Sequence, residues 1–280
     1  MTALFVEQLT VIDCAYLDAQ RGLVGESWIV DVELEGDLDH QSMVLDFGEV
    51  KRSLKRRIDA GLDHTLLVPA LAPELSLGSA GALTELAFKT AAGPIEHRSP
   101  DCAISLLQAV SIDAATVATH LESTLKVGLP ANVSQLRLRL RSEAIQGAYY
   151  HYVHGLKKHA GQCQRIAHGH RSRLEIRVNG LRDHVMEQDI AHAWTDIYLG
   201  TREDLIRRTS GRIRFAYDAP EGRFELEMPE TQVDLLETDS TVERIAEHLA
   251  ALARARHPGA AVEVRAYEGV MKGAVARSGP

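Results

Sequence analysis

The chain has 280 residues, 45% of them hydrophobic and 25% charged, with a formal net charge of −8. That length suits two domains of about 100–150 residues with a real buried core, and the negative charge argues against non-specific binding to nucleic acid or to an anionic membrane. Three cysteines (Cys14, Cys102, Cys163) are too few and odd in number for a disulfide framework, so a reducing, cytoplasmic compartment is expected.

The opening residues MTALFVEQLTV lack a basic region and a long apolar run, so no signal peptide is expected, and no stretch reaches the ~20 apolar residues of a membrane span. VIDCAYL (11–17) reads as a strand. GLVGESWIVDVELEG (22–36) alternates apolar and polar positions up to Gly36, the pattern of a half-buried strand. KRSLKRR (51–57) is balanced by nearby acids and reads as the solvated face of a helix. Residues 79–90 suggest extra strands. A helical pattern then runs to His120-Leu121, Gly128 and Pro130 break it, and a strand through Leu136, Leu138 and Leu140 ends at Glu143.

After Gly147-Ala148 the order begins again. YYHYVHGL (149–156) reads as a strand, and residues 165–180 alternate toward Gly180 as 22–36 do toward Gly36. Extra strands fall at 209–228. A second helix runs to His248-Leu249, is broken at Pro258-Gly259, and leads into Val262, Val264 and Ala266, ending at Glu268 before Gly273-Ala274. Self-similarity of this kind marks a tandem repeat. The expectation is two modules, 1–147 and 148–280, joined without a linker and with their sheets side by side.

Five of the thirteen histidines lie within 149–172. His168 and His170 form an H-x-H pair at the head of a strand. Alternate strand residues share a face, so the two imidazoles stand about 6–7 Å apart at Cα, a spacing that suits one metal. His154, in the preceding strand, can complete a set of three across a hairpin, and three imidazoles with an open fourth position describe a catalytic zinc site. Two ordinary surface or core histidines would give the same short motif by chance. The first module has Ala15, Val24 and Glu26 at the aligned places, so one copy holds three histidines and the other none.

A histidine in one strand, a cysteine in the next loop and HGH opening the following strand resemble the 6-pyruvoyl-tetrahydropterin synthase and 6-carboxy-tetrahydropterin synthase family. Further stretches carry the same resemblance: GDLDHQSMVLDFGEVKRSL (36–54) with Asp46-Phe47, GLDHTLL (61–67), STVERIA (240–246) and RAYEG (265–269). The resemblance implies an α+β tunnelling fold: two tandem ββααββ modules with extra strands, whose antiparallel sheets close into an oligomeric barrel. It implies a zinc-dependent lyase acting on 7,8-dihydroneopterin triphosphate, a small-molecule pterin substrate, a ring-like homo-oligomer, and no nucleic-acid or membrane partner. The product would be 6-carboxy-tetrahydropterin, for deazapurine (queuosine-type) synthesis, or 6-pyruvoyl-tetrahydropterin. By the same resemblance His154, His168 and His170 hold Zn2+, Cys163 is the base, Asp63-His64 assist it, and Glu268 or Glu143 anchors the pterin ring.

The family pattern is broken in one place. The second module has no Leu-Asp-His; QDIAHAW (188–194) and TDIYLG do not match. Complementation from the first module is one reading of Asp63-His64, an ordinary helix-end pair the other. His151 and His159 stand either as outer partners of the metal ligands or as bystanders, and Cys14 and Cys102 as core or surface thiols. A different class of protein also fits: a non-catalytic pterin- or partner-binding descendant of the duplicated fold.

Overall fold

Two long strands begin the chain: β1 (Thr2–Asp18) and β2 (Gly22–Gly36). They form an antiparallel hairpin that pairs Cys14 with Glu26 and Tyr16 with Val24. A computed structural model describes residues 2–279. The turn needs Gly22, whose φ of 92° lies in the left-handed region where a side chain is strained. Helix α1 (Phe47–Gly61) starts where the Asp46 side chain accepts from the N–H groups of Gly48 and Glu49, and it buries Val50, Leu54 and Ile58 on one stripe. Strand β3 (Leu66–Pro69) follows, then three strands β4 (Leu75–Ala80), β5 (Leu83–Thr90) and β6 (Gly93–Pro100), then β7 (Ile104–Leu107). Helix α2 (Ala114–Lys126) is started by a capping box between Asp113 and Thr116, and β8 (Val133–Ser142) ends the unit.

The second unit repeats this order. It runs β9 (Tyr149–His154), β10 (His168–Val178), the short β11 (Leu181–Arg182), α3 (His184–Ala193) and β12 (Ile197–Thr201). Then come β13 (Leu205–Thr209), β14 (Arg212–Ala219), β15 (Gly222–Pro229), β16 (Val233–Leu236), α4 (Val242–Arg256), β17 (Val262–Tyr267) and β18 (Gly273–Ser278). The two main sheets have matching orders, β7-β3-β1-β2-β8 and β16-β12-β9-β10-β17-β18. Each is backed by its own helices over its own core.

Three expectations are corrected. The sheets are mixed, not antiparallel throughout: β1–β3, β3–β7, β9–β12 and β12–β16 are parallel, because each returning strand follows a helix or a three-stranded excursion instead of a tight turn. Only the second module ends in two strands, since the chain after β8 runs on into β9. Finally, the main sheets do not join edge to edge. β2 lies between β1 and β8, β10 lies between β9 and β17, and no strand of one main sheet pairs with a strand of the other. The sheets cross instead at two glycines. A Cβ on Gly169 would lie 2.6 Å from Gly25 Cα, and one on Gly25 would lie 2.0 Å from the Tyr152 carbonyl oxygen, so neither place can hold a side chain.

The edge-to-edge join is made by the extra strands. β6 and β15 pair antiparallel, Glu96 with Glu227 and Arg98 with Glu225, which fuses the two excursions into one sheet ordered β13-β14-β15-β6-β5-β4. A core drawn from both modules lies beneath it, including Leu66, Phe88, Val153, Tyr198 and Phe215. Among the described residues no helix is long and apolar enough to cross a membrane.

Candidate active site at the module interface

Antiparallel pairing sets His154, at the end of β9, opposite His168 at the start of β10, with His170 two residues on and on the same face. One ligand atom from each lies within 4.8 Å of the other two. The Nδ1 atoms are already engaged. His154 Nδ1 donates to the Ser240 carbonyl at 2.9 Å and His168 Nδ1 to the Arg165 carbonyl at 2.9 Å. His170 Nδ1 lies 3.2 Å from Asp13 Oδ1, close enough for an ion pair though short of full hydrogen-bond geometry. All three Nε2 atoms are buried and have no partner. Buried polar atoms are seldom left so. Three convergent, unpaired imidazole nitrogens are a donor set that could hold a metal ion such as zinc, with a fourth position open. Burial, and then the neighbouring histidines, hold His154 and His168 well below the usual histidine range, in the neutral form that binds metal.

Cys163 sits in a single helical turn, Gln162–Gln164, between β9 and β10. Cys163, His64 and His168 also place their ligand atoms within 4.8 Å of one another. His64 comes from the other module. It follows α1 in the left-handed region, φ 54°, and its Nδ1 lies 2.8 Å from Asp63 Oδ2. Burial alone would lower His64, but Asp63 and Cys163 outweigh it and push its pKa up to about 10. The His64 and His168 rings are 5.2 Å apart. So the first module's Asp-His pair reaches the second module's histidines within one chain.

Residues 15–111 match the model of the 6-pyruvoyl tetrahydropterin synthase family. The chain carries a 6-pyruvoyl tetrahydropterin synthase family domain. Among solved structures it is similar to the 6-pyruvoyltetrahydropterin synthase of Plasmodium vivax, both in a form solved at 2.2 Å and in a catalytic residue mutant, at 17% identity and a TM-score of 0.43, over 52% of this chain and 93% of that one. It is also similar to the Plasmodium falciparum 6-pyruvoyl tetrahydropterin synthase at 15% identity and a TM-score of 0.40, over 50% of this chain and 97% of that one. No curated protein matched the chain.

The synthase-family domain and its repeat are not equivalent at the site. Strand register places Tyr16, not Ala15, opposite Val24, as His154 stands opposite His168. The first-module counterparts of the three histidines are therefore Tyr16, Val24 and Glu26. The counterpart of His64 is Asp196, which takes the same left-handed conformation at φ 53°, two residues before the matching strand pairing. Arg21 fills the space between, with Nε 2.8 Å and Nη2 2.6 Å from the Asp196 carboxylate, and Nη1 donates to Tyr16 Oη at 2.8 Å. His151 belongs to this filled counterpart: its Nδ1 is 2.7 Å from the Gly25 carbonyl and 3.9 Å from Glu26. His159 is exposed and accepts from the Gly161 N–H in its own loop. Cys14 is buried and Cys102 exposed, and all three thiols are free.

The two glutamates part company. By register Glu268 matches Ser142, and Glu143 matches Gly269 one residue later. Glu268 ends the β17 side of a loop closed by its N–H to the Lys272 carbonyl at 3.0 Å, and its charge acts on Tyr150, Tyr152 and Lys272. Lys272 in turn reaches Asp13 beside His170. Glu143 lies with arginines: its carbonyl accepts from Arg171, and its carboxylate is 3.9 Å from Arg173.

Several site residues escaped the sequence. Tyr150 and Tyr152 carry buried hydroxyls without partners, and the Tyr152 ring is 5.3 Å from that of His170. Arg165 pins the Cys163 loop to Glu221 at 2.8 and 3.1 Å, across to the β14–β15 turn, and Gln164 accepts from the Glu221 N–H. The extra strands thus brace the cysteine loop. Asp13 did leave a signal, the one carboxylate in the apolar run VIDCAYL (11–17), where a buried acid is rare unless paired.

Proposed function

We propose that the chain is a zinc-dependent lyase acting on 7,8-dihydroneopterin triphosphate, with one active site per chain, built from both modules. The observation that carries this is the set of three buried, unpartnered Nε2 atoms beside Cys163, with Asp63-His64 arriving from the other module. His154, His168 and His170 would hold the zinc, which when bound would supply Lewis-acid polarisation of the side-chain oxygens of the substrate and so acidify the adjoining C–H. Cys163 then takes the proton as general base. His64, held in its charged form by Asp63, sits against Cys163 and favours the thiolate that accepts the proton. Glu268 accepts two N–H bonds from the 2-amino-4-oxo edge of the pterin, a bidentate, charge-assisted contact. The free thiols fit a cytoplasmic setting.

The non-catalytic alternative drew on the missing Asp-His of the second module. That support weakens, because Asp63-His64 stands at the second module's cavity. The first module's cavity, filled by Arg21 and Asp196, supports a single zinc. Elemental analysis with one turnover assay tests both points. One zinc per chain and a 6-carboxy- or 6-pyruvoyl-tetrahydropterin product are expected. Metal without turnover would favour the binding protein, and two tightly held zincs would sink the single-site reading.

A further inference from the structure

On the reading of the cavity as a zinc site, we propose that Asp13 is a positioning residue: it orients His170 toward the metal and holds Asp63-His64 in the same cavity, so the module without metal ligands sets the affinity of the other.

Asp13 lies in β1 of the first module and is 3% exposed. Its side chain and backbone face different parts of the site. Oδ1 stands 3.2 Å from His170 Nδ1 and accepts from Ser27 Oγ, while Oδ2 accepts from Lys272 Nζ at 3.1 Å. The backbone N–H donates to Asp63 Oδ1 at 2.9 Å, and the carbonyl accepts from the His64 N–H at 2.7 Å. One residue therefore joins a metal histidine, the Asp-His pair and the loop that carries Glu268. Gly269 makes room for this: a Cβ there would lie 2.5 Å from Asp13 Oδ1.

The other two histidines lean on neutral main-chain carbonyls. His170 alone has a carboxylate, which fixes the tautomer and raises the donor strength of the opposite nitrogen. A purely structural Asp13–Lys272 pair explains less. Lys272 is half exposed, and burying a carboxylate to meet a solvated ammonium does not stabilise a fold.

The test is a zinc Kd for metal-free protein, measured by competition with a chromophoric chelator. Asp13→Asn keeps the shape and removes the charge, and its Kd should rise about 10–100-fold. Asp63→Asn, which does not touch His170, should stay within a few-fold of wild type. The visible bands of the cobalt-substituted protein should move in Asp13→Asn while the thermal midpoint of the metal-free form holds, a split that general loosening does not produce. If Asp13→Asn does not fold, Ser27→Ala takes its place, with a severalfold rise expected. A Kd within twofold of wild type in the variant that folds overturns the proposal. A wild-type chain that binds no zinc overturns the zinc reading itself, and this inference with it.

Discussion

Half-buried Cys163 and fully buried His97 show how differently two titratable side chains behave. Cys163 has a proton partner in His64 and a place beside the histidines. Cys163→Ala should keep stoichiometric zinc while turnover falls by ~10²–10⁴, the usual worth of a general base; an unchanged rate removes the thiol from the chemistry. His97, on β6, is paired across the sheet with Leu86 and Leu226, and its Nδ1 has no partner. Burial alone pushes its pKa down to about 4, from an ordinary 6.5. Below pH 6.5 the unfolded chain takes up a proton that the folded chain refuses until about pH 4, so this residue costs stability progressively as pH falls through that window. Between pH 7 and 5 the loss is roughly 2 kcal/mol. Urea midpoints at the two pH values, for wild type and His97→Leu, check it: the variant should lose markedly less stability on acidification.

Among the elements, the crossing of β2 over β9 and β10 governs the site most directly. It depends on Gly25 and Gly169, which let two backbones meet where any side chain would collide. Gly25→Ala touches none of the three histidine side chains, yet its Cβ would lie 2.7 Å from His170 N. A destabilisation of about 1–3 kcal/mol is expected from the forced separation, together with weaker zinc binding, as β10 is pushed from β1 and Asp13. Thermal unfolding and zinc titration of this variant read both effects; unaltered values for both would show that the sheets can part freely. The six-stranded sheet acts at the same scale, because Glu221 in its β14–β15 turn holds Arg165 and so the Cys163 loop. Glu221→Ala leaves a buried guanidinium without its partner and should lower turnover more than zinc content, as measured by steady-state rates beside elemental analysis.

For the whole molecule, the decisive point is that one chain brings His64 of the first module beside Cys163 and His168 of the second, so both halves of the proposed site come from one chain. Cys163→Ala and His64→Ala chains, each inactive alone, should therefore stay inactive when co-refolded, since each mixed assembly still pairs His64 with the Cys163 of its own chain. Recovered activity would place the site between chains. Self-association remains expected on different grounds. Strands β8 and β18 each pair on one side only, and open sheet edges seek partners. A closed ring of two or more chains satisfies them, and a monomer by light scattering would rule that out.

Periodicity and repeats were enough for the tandem order, the two helix–strand endings and the pairing of His154 with His168 and His170, because these depend on local alternation and on neighbouring strands. The Ala15 alignment slipped by one residue because the apolar run in β1 offers no period to hold it; register with β2 places Tyr16 there. The sequence alone left open where Asp63-His64 lies relative to the distant histidines, how the extra strands pair, and what surrounds each glutamate. Those answers depend on contacts between residues about 100 or more positions apart, such as His64 with His168, β6 with β15 and Asp13 with Lys272. No local propensity encodes such contacts, since they form only when the two sheets cross at a pair of glycines and close over a shared core.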